Sequence, residues 1–342
     1  MRAVRIHQHG GPEVLALEDA PEPSAGPTEV LVGVRAVALN HIDLWVRRGL
    51  PRLRLSFPHI LGADVAGVVA AVGEAARGVR PGDEVVLAPG VSCGQCPACL
   101  AGADNSCESY AILGEHIPGG YAQYVVVPRA NVLPKPAHLT FEEAAAVPLV
   151  FQTAWNMLVT NGRIRMGDTV LIWGAGSGVG SAGVQIAKAL GARVLATVGA
   201  AWKAERARDL GADEVINHTE QNVYEEVRRL TDRRGVDVAF DHVGKATWET
   251  SLRVLARGGR LVTCGATTGP DATTDIRYIF SRQLSIHGTY MGPKRDLHAV
   301  MRLVEAGRIR PVVHAVLPLA EAAEAHRMLE RREQFGKIVL VP

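Results

Sequence analysis

Up to about Pro136 the apolar residues fall in short β-branched runs broken by Gly and Pro. Examples are Glu29-Val30-Leu31-Val32-Gly33-Val34 and Ala66-Gly67-Val68-Val69-Ala70-Ala71-Val72. Runs of this kind, punctuated by turn residues, predict a strand-rich, partly antiparallel region. Arg80-Pro81-Gly82-Asp83-Glu84-Val85-Val86 reads as a turn feeding another strand. From Thr140 the pattern changes. Thr140-Phe141-Glu142-Glu143 has the form of a capping box, with a Thr cap and Glu three residues on. Strands and helices then alternate over 169–173, 180–190, 193–198, 203–210, 214–216, 223–230, 236–240, 248–254 and 259–264. That alternation predicts a parallel sheet covered by helices on both faces. Two further helical stretches, about 297–305 and 320–331, precede a last strand over 337–341. The fold class expected is therefore α/β, a strand-rich domain joined to a doubly wound parallel sheet. No internal repeat or low-complexity segment interrupts it.

The first strand of the alternating region, Thr169 to Trp173, runs into Gly174-Ala175-Gly176-Ser177-Gly178-Val179-Gly180-Ser181 and then a helix. Small residues let backbone approach a pyrophosphate, and a helix N-terminus offers N–H groups and a positive dipole end. Gly174 and Gly176 occupy the first two positions of the six-residue glycine fingerprint, but Val179 stands at the third. A tight turn is the plainer alternative. The strand before and the helix after are the context that favours dinucleotide binding. NAD enzymes usually end the second strand on Asp or Glu, which bonds the ribose 2′-OH. Here Val198-Gly199-Ala200-Ala201-Trp202 carries no carboxylate, and Lys203 and Arg206 follow. NADP(H) is expected over NAD, although such cations can also be an ordinary solvated helix face.

Composition narrows the class without naming the reaction. The chain has 342 residues, enough for two domains of usual size. A formal net charge of +2 gives no electrostatic case for nucleic acid or an anionic membrane surface. No uninterrupted apolar run is long enough to span a bilayer, and the first residues lack the apolar stretch of a signal peptide. A cytoplasmic protein acting on a small molecule is expected.

Four of the five cysteines lie within fifteen residues, as Cys93-x2-Cys96-x2-Cys99-x7-Cys107. Four thiolates at this spacing can close a tetrahedral cage around one Zn²⁺ and leave no open coordination position. The metal would be structural. Two disulfides or unpaired thiols are the alternatives, disfavoured in a reducing compartment.

The whole chain resembles the medium-chain dehydrogenase/reductases, the superfamily of zinc alcohol dehydrogenases and quinone oxidoreductases. The resemblance rests on Gly10-Gly11-Pro12-Glu13-Val14-Leu15, Leu61-Gly62-Ala63-Asp64-Val65-Ala66-Gly67-Val68-Val69, the four-cysteine lobe, Gly119-Gly120-Tyr121-Ala122-Gln123-Tyr124 and Thr153-Ala154-Trp155. It implies a GroES-like catalytic domain over 1–150 and 289–342, with the zinc lobe at 90–110. A Rossmann domain over 151–288 would be inserted, with the cofactor in the cleft between domains. It also implies a homodimer or homotetramer. Zinc alcohol dehydrogenases bind a catalytic Zn²⁺ at three positions that correspond here to Asn40, Ala63 and about Leu149. Ala63 and Leu149 cannot bind zinc and Asn40 is a poor ligand, so the catalytic metal site is expected to be absent. Leu39-Asn40-His41-Ile42-Asp43 is similar instead to the zinc-free quinone oxidoreductases, many of which lack the cysteine lobe.

The reaction expected is hydride transfer between a nicotinamide and a carbonyl, enone or quinone. Asn40 is the first candidate to donate to the acceptor oxygen and His41 the second, with Asp43 beside them. Thr153 would position the nicotinamide. Cys264, at the end of the last Rossmann strand, and Lys337 correspond to positions near the cofactor in relatives. Two alternatives stand: a zinc alcohol dehydrogenase with unorthodox ligands around His41, His59, Asp43 and Asp64, and a non-catalytic NADPH-binding or sensing protein.

Overall fold

The computed structural model describes residues 1–51 and 53–342. Contacts divide the chain into two compact units, one of Met1–Leu149, Pro293–Met301 and Pro311–Pro342, the other of Val150–Gly292 and Arg302–Arg310. The sequence expectation assigned residues 1–150 and the whole tail from 289 to the first domain; Val150 and residues 289–292 and 302–310 group with the second.

The first unit is organised by one long strand, Glu29–Ala38. It pairs antiparallel with Asp64–Val72, Tyr124–Pro128 and Lys337–Val341. Glu84–Leu87 and Val132–Pro134 extend the sheet on one side, and Val313–Pro318, parallel to Lys337–Val341, closes the other. Val30, Val32, Val37, Val65, Val69, Leu87, Val125, Val127 and Leu340 form its buried centre. Where the two central strands cross most closely, a Cβ on Gly67 would lie 2.2 Å from the Gly33 carbonyl oxygen. Any side chain at 67 would force those strands apart. A small three-stranded sheet, Ala16–Asp19, Arg2–Ile6 and His59–Ile60, and the hairpin pair Gly90–Val91 with Ala111–Ile112 complete the unit.

The second unit is a six-stranded, all-parallel sheet. Its order is Glu214–Asn217, Arg193–Val198, Thr169–Ile172, Val236–Asp241, Leu255–Thr263 and Ser285–Gly288. The first strand in sequence is third in space, which is the doubly wound arrangement with its switch point between Thr169–Ile172 and Val236–Asp241. Val170, Leu171 and Ile172 are fully buried. A strand covered on both faces reads as an unbroken apolar run, and for that reason it was visible in the sequence.

The expected capping box is present: Thr140 Oγ1 accepts from Glu143 N at 3.2 Å and Glu143 Oε2 from Thr140 N at 3.1 Å. Several elements lay outside the sequence expectation. Pro148–Trp155 is helical and widens into a π-helical turn over Asn156–Asn161. Ile276–Arg282, capped by Asp275, buries none of its residues, so its apolar positions carry no inward-facing period. Ser285–Gly288 and Val313–Pro318 are also strands.

Candidate active site and metal centre

The four lobe cysteines converge on one point. Cys96 and Cys99 Sγ are 3.5 Å apart, Cys93 and Cys107 Sγ 3.5 Å, and Cys93 and Cys99 Sγ 3.9 Å. A disulfide needs about 2.05 Å, so none of these pairs is bonded. A tetrahedron with Zn–S bonds of about 2.3 Å has S···S edges of about 3.8 Å. One zinc ion fits. Gly94 and Gly102 take positive φ angles of 74° and 71°, letting the chain double back between ligands. Backbone N–H groups of Gln95 and Cys96 lower the Cys93 thiol to about 6, which favours the thiolate a metal requires. Asp104, between the third and fourth ligands, accepts from Lys294 N at 2.9 Å and from its Nζ at 3.2 Å, tying the lobe to the rest of its unit.

The candidate catalytic residues lie in a different, fully enclosed cluster of the same unit. Asn40 ends the run of the central strand and stands at the cap of the helix His41–Arg48. Asp43, one turn on, accepts from Asn40 N at 2.7 Å through Oδ2 and from Gly62 N at 3.0 Å through Oδ1. Lys337, first residue of the last strand, is 3% exposed and donates to Asn40 Oδ1 at 2.5 Å and to Asp64 Oδ2 at 3.0 Å. A lysine only donates and a carboxylate only accepts, so the orientation of the Asn40 amide is fixed. Its Nδ2 donates to Asp64 Oδ2 at 3.0 Å and to Ala38 O at 3.3 Å. Both amide hydrogens are therefore committed inside the cluster, and Asn40 is a holder of Lys337 rather than a free donor. Leu149 N donates to Asp64 Oδ1 at 2.7 Å. Asp64 thus ties together Asn40, the Leu149 segment and, through its own chain neighbour, Ala63.

Burial pushes the Asp43 carboxyl up to about 7, against the hydrogen bonds from Asn40 and Gly62 and the Lys337 charge. Lys337 was expected beside cofactor phosphates; its ammonium is instead spent on Asn40 and Asp64. His41 is half-buried, its ring 6.3 Å from that of Trp45. His59 is buried and its Nε2 bonds Gly114 O at 3.1 Å, which makes it a packing histidine. Among the described residues, the four cysteines form the only group of three or more His, Cys, Asp or Glu side chains close enough to share an ion.

In the second unit the glycine-rich turn leads into a helix N-terminus in a form that could cradle a phosphate. Gly174 has φ +59°, and Ser177 caps the helix Gly178–Ala189 by accepting from Gly180 N at 2.9 Å. A Cβ on Gly180 would stand 2.3 Å from Gly174 O. The residue that must be glycine for the helix to pack on the turn is Gly180, one place beyond Val179, which explains the imperfect fingerprint. Gly176 is buried inside the turn. His242 Nε2 lies 2.8 Å from Trp173 O and 3.1 Å from Ser177 Oγ, bracing the turn from the next strand. Thr153 is 5% exposed and its Oγ1 has no hydrogen-bond partner. A buried hydroxyl left so is costly unless something bonds it, and a ligand amide would. Lys203 Nζ and Arg206 Cζ lie 5.2 and 5.3 Å from the Trp202 ring centre. The end of the second strand is bordered by His218, whose Nε2 would be 3.2 Å from a Cβ on Gly199. Burial pushes the Cys264 thiol up to about 12, so it stays protonated and unreactive.

Residues 26–137 match the family described as the alcohol dehydrogenase GroES-like domain, and residues 178–306 that described as zinc-binding dehydrogenase. A quinone oxidoreductase of Pseudomonas aeruginosa is 35% identical, covering 100% of this chain and 99% of its own. An NAD-dependent alcohol dehydrogenase of Saccharolobus solfataricus is 33% identical over 100% of both. The chain belongs to the medium-chain dehydrogenase/reductase superfamily. A crystal structure of an NAD-dependent alcohol dehydrogenase is similar to it with a TM-score of 0.97, at 53% identity over 100% of each chain. A medium-chain dehydrogenase/reductase is an oxidoreductase, and that much holds for this chain.

Within this medium-chain dehydrogenase/reductase, sequence reasoning missed His242 beside the glycine-rich turn, His218 beside the end of the second strand, and a buried chain of Arg47, His326 and Tyr121. Arg47 and His326 stand 279 residues apart, and nothing in either neighbourhood marks the pairing. For His242 a faint signal existed, its place directly after the strand Val236–Asp241 at the switch point.

Proposed function

We propose that this chain is an NADP(H)-dependent oxidoreductase that transfers hydride to or from a carbonyl, enone or quinone, with one structural zinc and no catalytic one. The observation that carries the reading is the Lys337 ammonium bonded to Asn40 Oδ1 at 2.5 Å and Asp64 Oδ2 at 3.0 Å. It fills the place beside Asn40 where relatives of the alcohol dehydrogenase type would seat a dication. A Zn²⁺ about 3 Å from that charge would be repelled by on the order of 10 kcal/mol, at the effective dielectric constant usual for proteins. With Ala63 and Leu149 at the other two positions, there is no ligand set to offset such repulsion.

The bound nicotinamide would supply or accept the hydride. Thr153 Oγ1 would hold the carboxamide, and the Gly174–Gly180 turn with its helix the pyrophosphate. Lys203 and Arg206, with no carboxylate at the strand end, favour a 2′-phosphate over a bare ribose hydroxyl. Lys337 gives a fixed positive field where negative charge develops on the substrate oxygen, and His41, at the start of its helix, is the donor nearest that cluster in sequence. Asn40 and Asp64 keep the ammonium from moving, so no reorganisation is needed during the reaction.

The second unit ends on an edge strand, Ser285–Gly288, with Ile286 37%, Tyr290 52% and Phe280 72% exposed. An apolar, unpaired edge of this kind favours a homodimer or homotetramer. Free thiols and the want of any helix long and apolar enough to cross a membrane, among the described residues, fit the cytoplasm as its place.

Elemental analysis of zinc-replete protein, with a screen of NADPH and NADH against quinones, enones, aldehydes and alcohols, tests the reading. One zinc per chain, with faster turnover of activated carbonyls by NADPH, is expected. Two zinc ions per chain, the second needed for alcohol oxidation, would overturn it.

A further inference from the structure

Directly behind the Asn40 cluster runs a second buried polar chain. Arg47, on the inner side of the helix His41–Arg48, is fully buried. Its Nε donates to Gly10 O at 3.1 Å and its Nη2 to Glu330 Oε1 at 2.5 Å. Its Nη1 lies 3.0 Å from His326 Nδ1, on the C-terminal helix Ala322–Glu330. A guanidinium has hydrogens to give and no lone pair to receive. His326 Nδ1 must therefore accept, and the ring's hydrogen must sit on Nε2. That nitrogen lies 3.1 Å from Tyr121 Oη. With Nε2–H donating to the phenol oxygen, the phenol's own hydrogen is turned away from His326. Burial, and then the Asp43 charge nearby, raise the phenol's pKa. The donors of Arg47 and His326 point the same way, toward Tyr121. The ring of Tyr121 is seated against Gly62, where φ is +98° and a Cβ would be 2.4 Å from Cδ1.

We propose that His326 is a positioning residue of the active site, which through Tyr121 orients Asp43 and through Asp43 fixes Asn40 and Gly62. Asp43 accepts from Asn40 N and from Gly62 N, the glycine against which the Tyr121 ring is seated, and it is the junction between this chain and the cluster that holds Lys337. The charged and titratable groups around it are Lys337 of the last strand, Asp64 of the neighbouring strand and Tyr121 of the loop before Tyr124–Pro128. Arg47 and Arg48 come from its own helix, and His326 and Glu330 lie behind them on the C-terminal helix. Burial, Arg47 and Arg48 hold the His326 imidazole down to about 3, so it carries no charge of its own and acts only by direction. Removing the Tyr121 hydroxyl takes a polar group from near the buried Asp43 carboxyl, which disfavours its ionised form further and moves its titration upward.

The inference builds on the proposed reduction chemistry, and its test has one arm that needs no turnover. In the protein bound to dinucleotide, ¹⁵N NMR of labelled histidines should find His326 neutral with its hydrogen on Nε2 throughout about pH 5 to 9. A hydrogen on Nδ1, or a ring that titrates in that window, overturns the proposal even if no substrate is ever turned over. In the kinetic arm, Tyr121→Phe and His326→Leu should lower kcat about tenfold and leave KM for the dinucleotide unchanged. They should also shift the acidic limb of the kcat profile up by about one pH unit. His326→Gln should restore the limb, because its amide oxygen can accept from Arg47 while its NH₂ donates to Tyr121. Tyr121→Phe keeps the ring against Gly62 and so serves as the variant that folds. An unmoved limb in Tyr121→Phe, or a His326→Gln no better than His326→Leu, assigns these residues to stability alone and overturns the proposal.

Discussion

In the cysteine lobe all four ligand residues come from one short stretch, Cys93 to Cys107, and their sulfurs meet within 4.8 Å. In the Asn40 cluster the bonded pairs are 24 and 297 residues apart in the chain. Each site ties chain segments together, the lobe a loop and the cluster the ends of paired strands. The lobe would do so with an ion that can leave, and the cluster does so with an ammonium tethered to the backbone. A metal staple can be tuned or lost with the surroundings, while a lysine staple is present whenever the chain is folded. The cluster is therefore expected to resist chelators, and a zinc-loaded lobe is not.

The sharpest way to break the comparison is to remove the lysine staple. Lys337→Met should cost about 3–5 kcal/mol, because it leaves Asp64 buried without its cation. Equilibrium denaturation would show this, and a cost below about 1 kcal/mol would mean that Asp64 finds another partner. Cys107→Ser, or a strong chelator, should abolish zinc binding yet cost the chain less. The lobe is largely exposed, and its unfolding is local, so a loss under about 2 kcal/mol is expected by the same measurement.

The smallest effect separates the two polar chains that meet at Asp43. Its folded pKa of about 7 lies above the unfolded value, so its contribution to stability is full at low pH and fades as pH rises through 7. His326, at about 3, lies below its unfolded value; its contribution is full above the unfolded pKa and is lost as pH falls toward 3. Between about pH 4 and 6.5 the two slopes oppose each other. Asp43→Asn should make stability rise with pH in that window, and His326→Gln should make it fall, each by at most about 1.4 kcal/mol per pH unit. Parallel stability curves for both variants and the parent would show that neither group is perturbed.

What could be read from the chain follows the same division. The lobe was visible because ligand spacing is local. The parallel strands were visible because Val170 to Ile172 and Val238 to Phe240 are buried on both faces and so write continuous apolar runs. The helix Ile276–Arg282 was not, since Ile276 and Phe280 face solvent and mimic no inward stripe. Asn40 was legible as a candidate from the motif around it, but its bonding was not. Whether an amide donates outward or holds a lysine depends on a partner at the far end of the chain. The shift of the packing glycine from 179 to 180 is visible only once Gly174 O is located in space.

The central strand Glu29–Ala38 pairs with Lys337–Val341, the last strand of the chain. During synthesis the first 149 residues leave the ribosome with that edge open and with Asp64 lacking its cation. Residues 150–292 form most of the second unit and are continuous, so they can fold while translation is still under way. The sheet of the first unit is thus completed only after most of the second unit has been made. A chain interrupted before Lys337 would carry the whole parallel sheet of the second unit and leave Asp64 buried without its cation.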